Sequence, residues 1–492
     1  MKRVLTAKGA KLLDSHMISD LGIPSMVLME NAAAAVCSQI SNENGLILVL
    51  CGVGNNGGDG IAIARKLMIE GKNVHALMLG NPITDDAKLN LSVAEKLGLP
   101  ITFIENVEQL QKHLSEKPAI IVDALFGIGL SREILGLYSE AIELTNQTNA
   151  IKIAVDTPSG INADTGEVMG CAFKADVTVS FQTAKRGHLV FPGRDYSGKL
   201  IIAKIGDAIK DYVFDSNEYL IEESDVQEIL PKRKANSHKG NYGKALLIAG
   251  SNEYVGACVM SATATLRAGA GLLKVVTPNK VAQVLYSSLP EAMVYSDFYD
   301  WNGFLAHSKE FEKLLDWADC IAIGSGMGDS EAIAIILEMA LSTNKPIIID
   351  ADGLNALAKS EIKLHNNVLI TPHIGEFSRL SQKTKSAILA DSVSIANTFA
   401  KENAIVLLLK GATTIISAYG ERIYYDVSGN PGLSTGGSGD VLTGLILGLL
   451  AQGLSLEHAA SCGSLLLGIG ADEAVKHLSL RGILPTDVLE HI

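Results

Sequence analysis

Aromatic residues make up only 5% of the 492-residue chain, with two tryptophans among them, so platforms for stacking nucleic-acid bases are few. Positive charge is also short. Against 54 Asp and Glu stand 41 Lys and Arg, a formal net charge of −13, which argues against bulk attraction to nucleic acid or to an anionic membrane surface. The six cysteines, Cys37, Cys51, Cys171, Cys258, Cys320 and Cys462, form no CxxC pair and show no metal-ligand spacing. They read as reduced core residues of a cytoplasmic protein. No apolar run approaches the roughly 20 residues of a membrane span. The longest, Val441–Leu450, is broken by Thr443, Gly444 and Gly448 and reads as a buried helix. The N-terminal stretch reaches Lys8 and Asp14 without the apolar core of a signal peptide, so no export is expected. A small-molecule partner is what these absences leave.

The length is too great for one ordinary domain and comfortable for two. Apolar runs ending in Gly or Asp alternate with helical patterns, the signature of βαβ units and a parallel sheet. Expected strands of the first half are Leu46–Leu50, Val74–Leu79, Ile101–Ile104, Ala119–Val122, Ile151–Val155, Val177–Phe181 and Leu200–Ala203. Those of the second are Ala245–Ala249, Leu273–Thr277, Cys320–Ile323, Pro346–Ile349, Val368–Ile370, Ile405–Leu409 and Thr414–Ser417. Between them, Ile221–Leu230 is acidic and helical in pattern, and Pro231–Gly240 is basic and poor in apolar anchors, as a solvated linker would be. The chain is therefore divided into an α/β domain over residues 1–220, a linker over 221–240 and a second α/β domain over 241–492.

In the first domain a buried strand leads into the glycine loop Gly54-Asn55-Asn56-Gly57-Gly58-Asp59-Gly60 and then a helix, a plausible phosphate or dinucleotide cradle. The spacing matches neither a Rossmann GxGxxG nor a Walker loop, and a tight structural turn is the alternative reading. Asp123 and Asp156 each follow an apolar strand, and Ser159 closes the second of these motifs, Asp156-Thr157-Pro158-Ser159-Gly160. Ligands of open α/β sheets bind beyond the carboxyl ends of the strands, so Asn56, Asp59, Asp123, Asp156 and Ser159 are expected to converge. Helix caps or strand-end turns would explain each aspartate singly. Several carboxylates in one crevice call for a proton or a cation, and Asn, Asp and Ser oxygens suit a hard one.

The second domain carries the stronger signal. Gly436-Gly437-Ser438-Gly439-Asp440 opens an apolar helix, placing unpaired backbone N–H groups and a candidate base in one segment, a phosphoryl-transfer geometry. Upstream, Asp350 and Asp352 follow one strand, His373 and Glu376 the next, and Lys410 a third, where its ammonium could meet nucleotide phosphates. A turn histidine and a snorkelling strand-end lysine are the bland alternatives. Glu376 or an aspartate could order magnesium through water.

These motifs carry a resemblance. Residues 55–60, Asp123–Gly129 and Asp156–Gly160 resemble the NAD(P)HX epimerase family over about Met1–Tyr219. Thr371–Phe377, Lys410–Thr413 and Gly436–Asp440 are similar to the NAD(P)HX dehydratase family, within the ribokinase-like superfamily, over about Lys234–Ile492. The resemblance implies a Rossmann-like three-layer α/β/α domain followed by a ribokinase-like α/β domain. It implies that Asn55, Asn56, Gly57, Gly58, Asp59, Gly127, Ile128, Gly129, Leu130, Ser131, Arg132, Glu133 and Asp156 bind the hydrated dinucleotide, with Asp156 transferring a proton. Asn56, Asp123 and Ser159 would hold K+. In the second domain Ala257, Gly326, His373 and Asp440 would contact the hydrated dinucleotide, with Asp440 as base. Lys410, Gly411, Ala412, Thr413, Thr414 and Gly439 would hold ADP or ATP with Mg2+. The implied activity is epimerisation of R and S NADHX and NADPHX, then dehydration of the S form to NAD(P)H. A homo-oligomer is expected, with no nucleic-acid or membrane partner. The alternative is a ribokinase-like kinase of a vitamin or sugar alcohol with an N-terminal regulatory domain.

Overall fold

The computed structural model describes residues 1–40, 45–206, 212, 214, 216–230, 232–304 and 308–492. These divide into two compact units, one of Lys2–Asn217 and one of Glu218–Ile492 with Met1.

In the first unit the sheet is parallel throughout. Its strands are β1 (Ile47–Cys51), β2 (Val74–Met78), β3 (Ile101–Phe103), β4 (Ile120–Ala124), β5 (Ile151–Val155), β6 (Val177–Phe181) and β7 (Lys199–Ala203), in the order β3-β2-β1-β4-β5-β6-β7. All seven were expected from the apolar runs, and β1 and β4, buried at every position, have no polar alternation to blur them. Val49 and Cys51 pack on one face with helix α1 (Asn55–Ile69), while Leu48 and Leu50 pack on the other with Leu110 and Ala141. That gives three layers. The strand order reverses beside β1, which opens a crevice beyond the carboxyl ends of β1 and β4. Two short strands, Lys2–Leu5 and Ala184–Lys185, pair in parallel outside this sheet and had no clear sequence signal.

The second unit contains β8 (Glu218–Leu220), β9 (Lys244–Ile248), β10 (Leu272–Val276), β11 (Met293–Tyr295), β12 (Cys320–Ile323), β13 (Ile347–Ile349), β14 (Val368–Ile370), β15 (Val406–Leu409), β16 (Thr414–Ala418) and β17 (Arg422–Asp426). They lie in the order β11-β10-β9-β12-β13-β14-β15-β16-β17-β8. The pairs β15–β16 and β16–β17 are antiparallel, a departure from the all-parallel expectation. Tyr419 at φ +57° and Gly420 at φ +71° make the reversal between β16 and β17. The helices that matter to function are α2 (Val255–Arg267), α3 (Ala351–Ala358), α4 (Ile374–Ser381), α5 (Ser438–Ala451) and α6 (Leu456–Ala474).

The apolar run Val441–Leu450 is buried along its whole length within α5. Its glycines make this possible, since a Cβ on Gly444 would lie 2.2 Å from the Ser261 carbonyl oxygen and one on Gly448 2.4 Å from that of Thr265. Helix α2 therefore crosses α5 backbone to backbone. Among the described residues no helix is long and apolar enough to cross a membrane. Ile221 and Val226, placed by sequence in the linker, are buried in this unit's core, whereas 232–238 form neither helix nor strand and are exposed. Pro231 lies outside the described residues.

Candidate functional site

The segment Gly54–Gly60, expected as a loop, is instead the start of a helix: Gly54 is the N-cap and Asn55–Gly60 form the first turns of α1. Its glycines answer to packing. A Cβ on Gly57 would lie 1.8 Å from the Gly52 carbonyl oxygen, one on Gly58 2.9 Å from Met29 Cε, and one on Gly60 2.7 Å from Ala124 Cβ. The amide of Gly58 is the first to find a backbone acceptor, Gly54 O at 3.1 Å, so the amides before it face outward as at any helix N-terminus. Asn55, Asn56 and Asp59 line a cavity of about 580 Å3, together with Gly127, Ile128, Gly129, Leu130, Ser131, Arg132 and Asp156. Gly57, Gly58 and Glu133 do not line it.

Behind the cavity, Asp123 is fully buried at the end of β4. Ser159 donates to it twice, its amide to Oδ2 at 2.7 Å and its hydroxyl to Oδ1 at 2.6 Å. The Asn56 side-chain amide donates to the Phe126 carbonyl at 2.9 Å, and the Phe126 amide donates to Ser159 Oγ at 2.8 Å. Asn56, Asp123 and Ser159 are thus gathered around one residue, Phe126. Burial pushes the Asp123 carboxyl up to about 6, although the Ser159 hydrogen bonds pull against it. No Lys, Arg or His forms an ion pair with it among the described residues.

Asp156 follows β5 with φ +62°, and its Oδ1 accepts from the ammonium of Lys185, itself 2% exposed. Three more acids line the cavity, Asp14, Asp59 and Asp86. Burial, then Asp156 and Asp14, hold Asp59 well above the ordinary carboxylate range. Burial also raises Asp14 to about 6, against the pull of Lys185. Lys11 and Arg132 are the basic side chains of the lining. Sequence reasoning missed Lys11, Asp14 and Lys185, because each sits in a segment with no motif around it and meets the site only through the fold.

In the second unit, Gly437 caps α5 at φ +105° and Asp440 lies in the first turn. A Cβ on Gly439 would lie 3.4 Å from Lys410 Nζ and 3.9 Å from Asp350 Oδ2, so these groups are neighbours. Lys410 donates to Asp350 Oδ1 at 2.8 Å and lies 3.9 Å from Glu376 Oε2, while Thr443 Oγ1 donates to Asp350 Oδ2 at 2.8 Å. Burial alone would lower the Lys410 ammonium, but Asp350 and Glu376 outweigh it and the net direction is upward. Burial and then Asp350 push the Asp440 carboxyl up to about 6, against the Ser325 hydroxyl and Lys410.

The remaining expected residues divide. Ala257 and Gly326 meet, since a Cβ on Gly326, at φ +62°, would lie 2.6 Å from Ala257 Cβ. His373 is the N-cap of α4, its Nδ1 accepting from the Gly375 amide at 2.9 Å while its own amide donates to Glu376. That is the capping arrangement, with the far side of the ring left exposed. The Lys410 amide donates to the Pro372 carbonyl at 2.9 Å, bringing the two loops together. Gly411, Ala412 and Thr413 form the turn into β16, which Thr414 begins.

Comparison with known proteins follows the same division. The family described as NAD(P)H-hydrate dehydratase matches residues 245–492, and that described as YjeF-related protein N-terminus matches residues 25–187. The bifunctional NAD(P)H-hydrate repair enzyme Nnr of Moorella thermoacetica is 37% identical over 99% of this chain and 96% of its own length. The chain belongs to the bifunctional NAD(P)H-hydrate repair enzyme family. Another member, from Coxiella burnetii, is 37% identical over 91% of this chain and 89% of its own. Among solved structures, the ADP/ATP-dependent NAD(P)H-hydrate dehydratase of Bacillus subtilis, co-crystallised with ATP/Mg2+, is 30% identical with a TM-score of 0.50, covering 55% of this chain and 95% of that one. A ribokinase-like superfamily protein of Enterococcus faecalis gives 28% identity and a TM-score of 0.51 over 57% and 95%. The repair-enzyme family thus accounts for an α/β chain whose second unit is ribokinase-like.

Proposed function

We propose that this chain repairs hydrated nicotinamide dinucleotides, residues 1–220 epimerising R and S NAD(P)HX and residues 241–492 dehydrating the S form to NAD(P)H with ADP or ATP. The observation that carries the reading is the pairing of two different sites in one family member: an acidic cavity over a buried oxygen cluster, and a carboxylate at a helix N-terminus beside Lys410. Asp440 takes the proton of the C6 hydroxyl, whose oxygen then attacks the terminal phosphorus as the nucleotide leaves one phosphate shorter. The ring-nitrogen electron pair next expels phosphate from C6, and loss of the C5 proton to solvent restores the C5=C6 double bond. Lys410 and the helix N-terminus stabilise the migrating charge. Glu376, 8% exposed and close to Lys410, is the residue that would reach a hydrated Mg2+ beside the nucleotide. Asn55, Asn56, Asp59, Asp156 and the 127–132 segment hold the dinucleotide of the first reaction.

The test is direct. Purified chain, mixed epimers and nucleotide are followed by absorbance of the reduced cofactor, and full recovery of both epimers is expected. Stable release of a phosphorylated vitamin or sugar alcohol, with no such recovery, would favour the kinase reading.

A potassium ion fits the first site by its donors, since Asn56, Asp123, Ser159 and the Phe126 carbonyl offer only hard oxygens and, among the described residues, no cationic side chain pairs with the buried Asp123. Its chemistry there is charge compensation. Replacing sodium by potassium is expected to raise the melting temperature of the wild-type chain, and Asp123→Asn to abolish that difference in a thermal melt.

Lys11 and Arg132 are the basic groups of an otherwise acidic cavity, which orients the dinucleotide with its pyrophosphate toward them and its ring toward Asp156. Lys11→Ala is expected to raise the KM of epimerisation about tenfold with kcat little changed, because a phosphate contact remote from C6 acts on both ground and transition states. Steady-state kinetics of epimer exchange decide it.

A further inference from the structure

The ammonium of Lys185 is buried in the first unit, where Asp156 Oδ1, Ser180 Oγ at 2.9 Å and the Phe181 carbonyl at 3.1 Å receive it. Asp156 Oδ1 also accepts from the Phe181 amide at 3.1 Å and from Ser180 Oγ at 3.4 Å. One carboxylate oxygen is thereby saturated. Asp156 nevertheless lines the cavity, and no bond to its Oδ2 occurs among the described residues. The backbone there is left-handed at φ +62°, a conformation that non-glycine residues adopt only when their surroundings hold it. The Asp156 amide, donating to Val179 O at 2.9 Å, helps to hold it.

We propose that Lys185 is a positioning residue for epimerisation: by binding one oxygen of Asp156 it aims the other at the substrate and sets its positive charge against that carboxylate. The inference rests on reading the first cavity as the epimerase site. Asp156 acts on Asp14 and Asp59 across the same cavity, and Asp86, also in its lining, acts on Asp59. Lys11 and Arg132 belong to the lining but form no ion pair with Asp156. His188, fully enclosed on the other side, accepts from the Lys185 amide at 3.2 Å. Burial, and then Lys185, depress its imidazole to about 3, so it is neutral and lends Asp156 no charge. Lys185 holds Asp156 by a direct hydrogen bond and acts on Asp14 only through its charge. Unequal coupling of this kind lets neighbouring carboxyls take opposite roles.

The experiment uses the full chain with Lys185→Met and Lys185→Arg. Exchange between R and S NADHX is measured against pH, with dehydration of pure S NADHX as the control for an intact chain. Lys185→Met is expected to lose ten- to a hundredfold in kcat at neutral pH with KM little changed. The acidic limb of its pH profile should move upward by about 1–3 units, the range by which a nearby opposite charge shifts a carboxyl. Lys185→Arg should leave the limb at its wild-type position. A Lys185→Met variant with reduced amplitude and an unmoved limb overturns the proposal. Should that variant fail to fold, the arginine variant decides alone, since a shifted limb there also overturns it. Absence of exchange in the wild-type chain instead refutes the epimerase reading itself.

Discussion

Asp440→Asn is expected to slow dehydration about a thousandfold, within the range of roughly 10² to 10⁴ that a positioned base contributes, while R/S exchange continues at the wild-type rate. The substitution keeps the shape of a side chain in the first turn of α5 and removes its ability to accept a proton. Lys410, Gly439 and the helix N-terminus stay in place, so nucleotide binding should survive. The wild-type pH dependence has a definite sign. With the Asp440 carboxyl raised to about 6 by burial and by Asp350, the basic form is lost as pH falls through about 6, and dehydration falls with it. The asparagine variant should show a low rate without that limb. Stability moves the other way. A carboxyl raised in the fold opposes folding increasingly as pH rises from its unfolded value toward 6, so removing the charge should leave the melting temperature at pH 8 unchanged or higher. A variant that loses both dehydration and nucleotide binding would show instead that Asp440 is structural.

Asp156→Asn is the complementary experiment. Recovery of reduced cofactor from an equal mixture of epimers should stop once the S form is consumed, because exchange at C6 no longer supplies it. Here the stability sign is opposite to that at Asp440. Lys185 would be left buried without its counter-charge, and removing one partner of a buried pair typically costs about 3–5 kcal/mol. The double variant Asp156→Asn with Lys185→Met removes both charges and should regain much of that stability without regaining exchange. Melting curves beside the recovery assay separate the two effects. Full recovery of both epimers by either variant would remove Asp156 from the mechanism.

What the sequence made legible was the scaffold of each unit. Fully covered parallel strands are runs such as Leu46–Leu50 and Cys320–Ile323 that need no tertiary information to recognise. The strands that escaped are short or end in charge, as with Met293–Tyr295 and Arg422–Asp426. Asn55–Gly60 was misread for a reason that can be stated. Glycine costs a helix about 1 kcal/mol relative to alanine, so three glycines in six residues read as a loop. The close approach of Gly57 to Gly52 and of Gly60 to Ala124 outweighs that propensity. Asp440, Asp156 and Asp123 were legible because strand and helix ends frame them. Lys185 was not, since it stands 29 positions from its carboxylate in the run Ala184–His188, which has no periodicity.

That helical start has a thermodynamic corollary. A ligand entering the first cavity finds Asn55, Asn56 and the amides beside them already immobilised against the sheet, with no glycine loop to freeze. The entropy of ordering was settled when the chain folded, so encounter with the dinucleotide spends little of its interaction energy on arranging the protein.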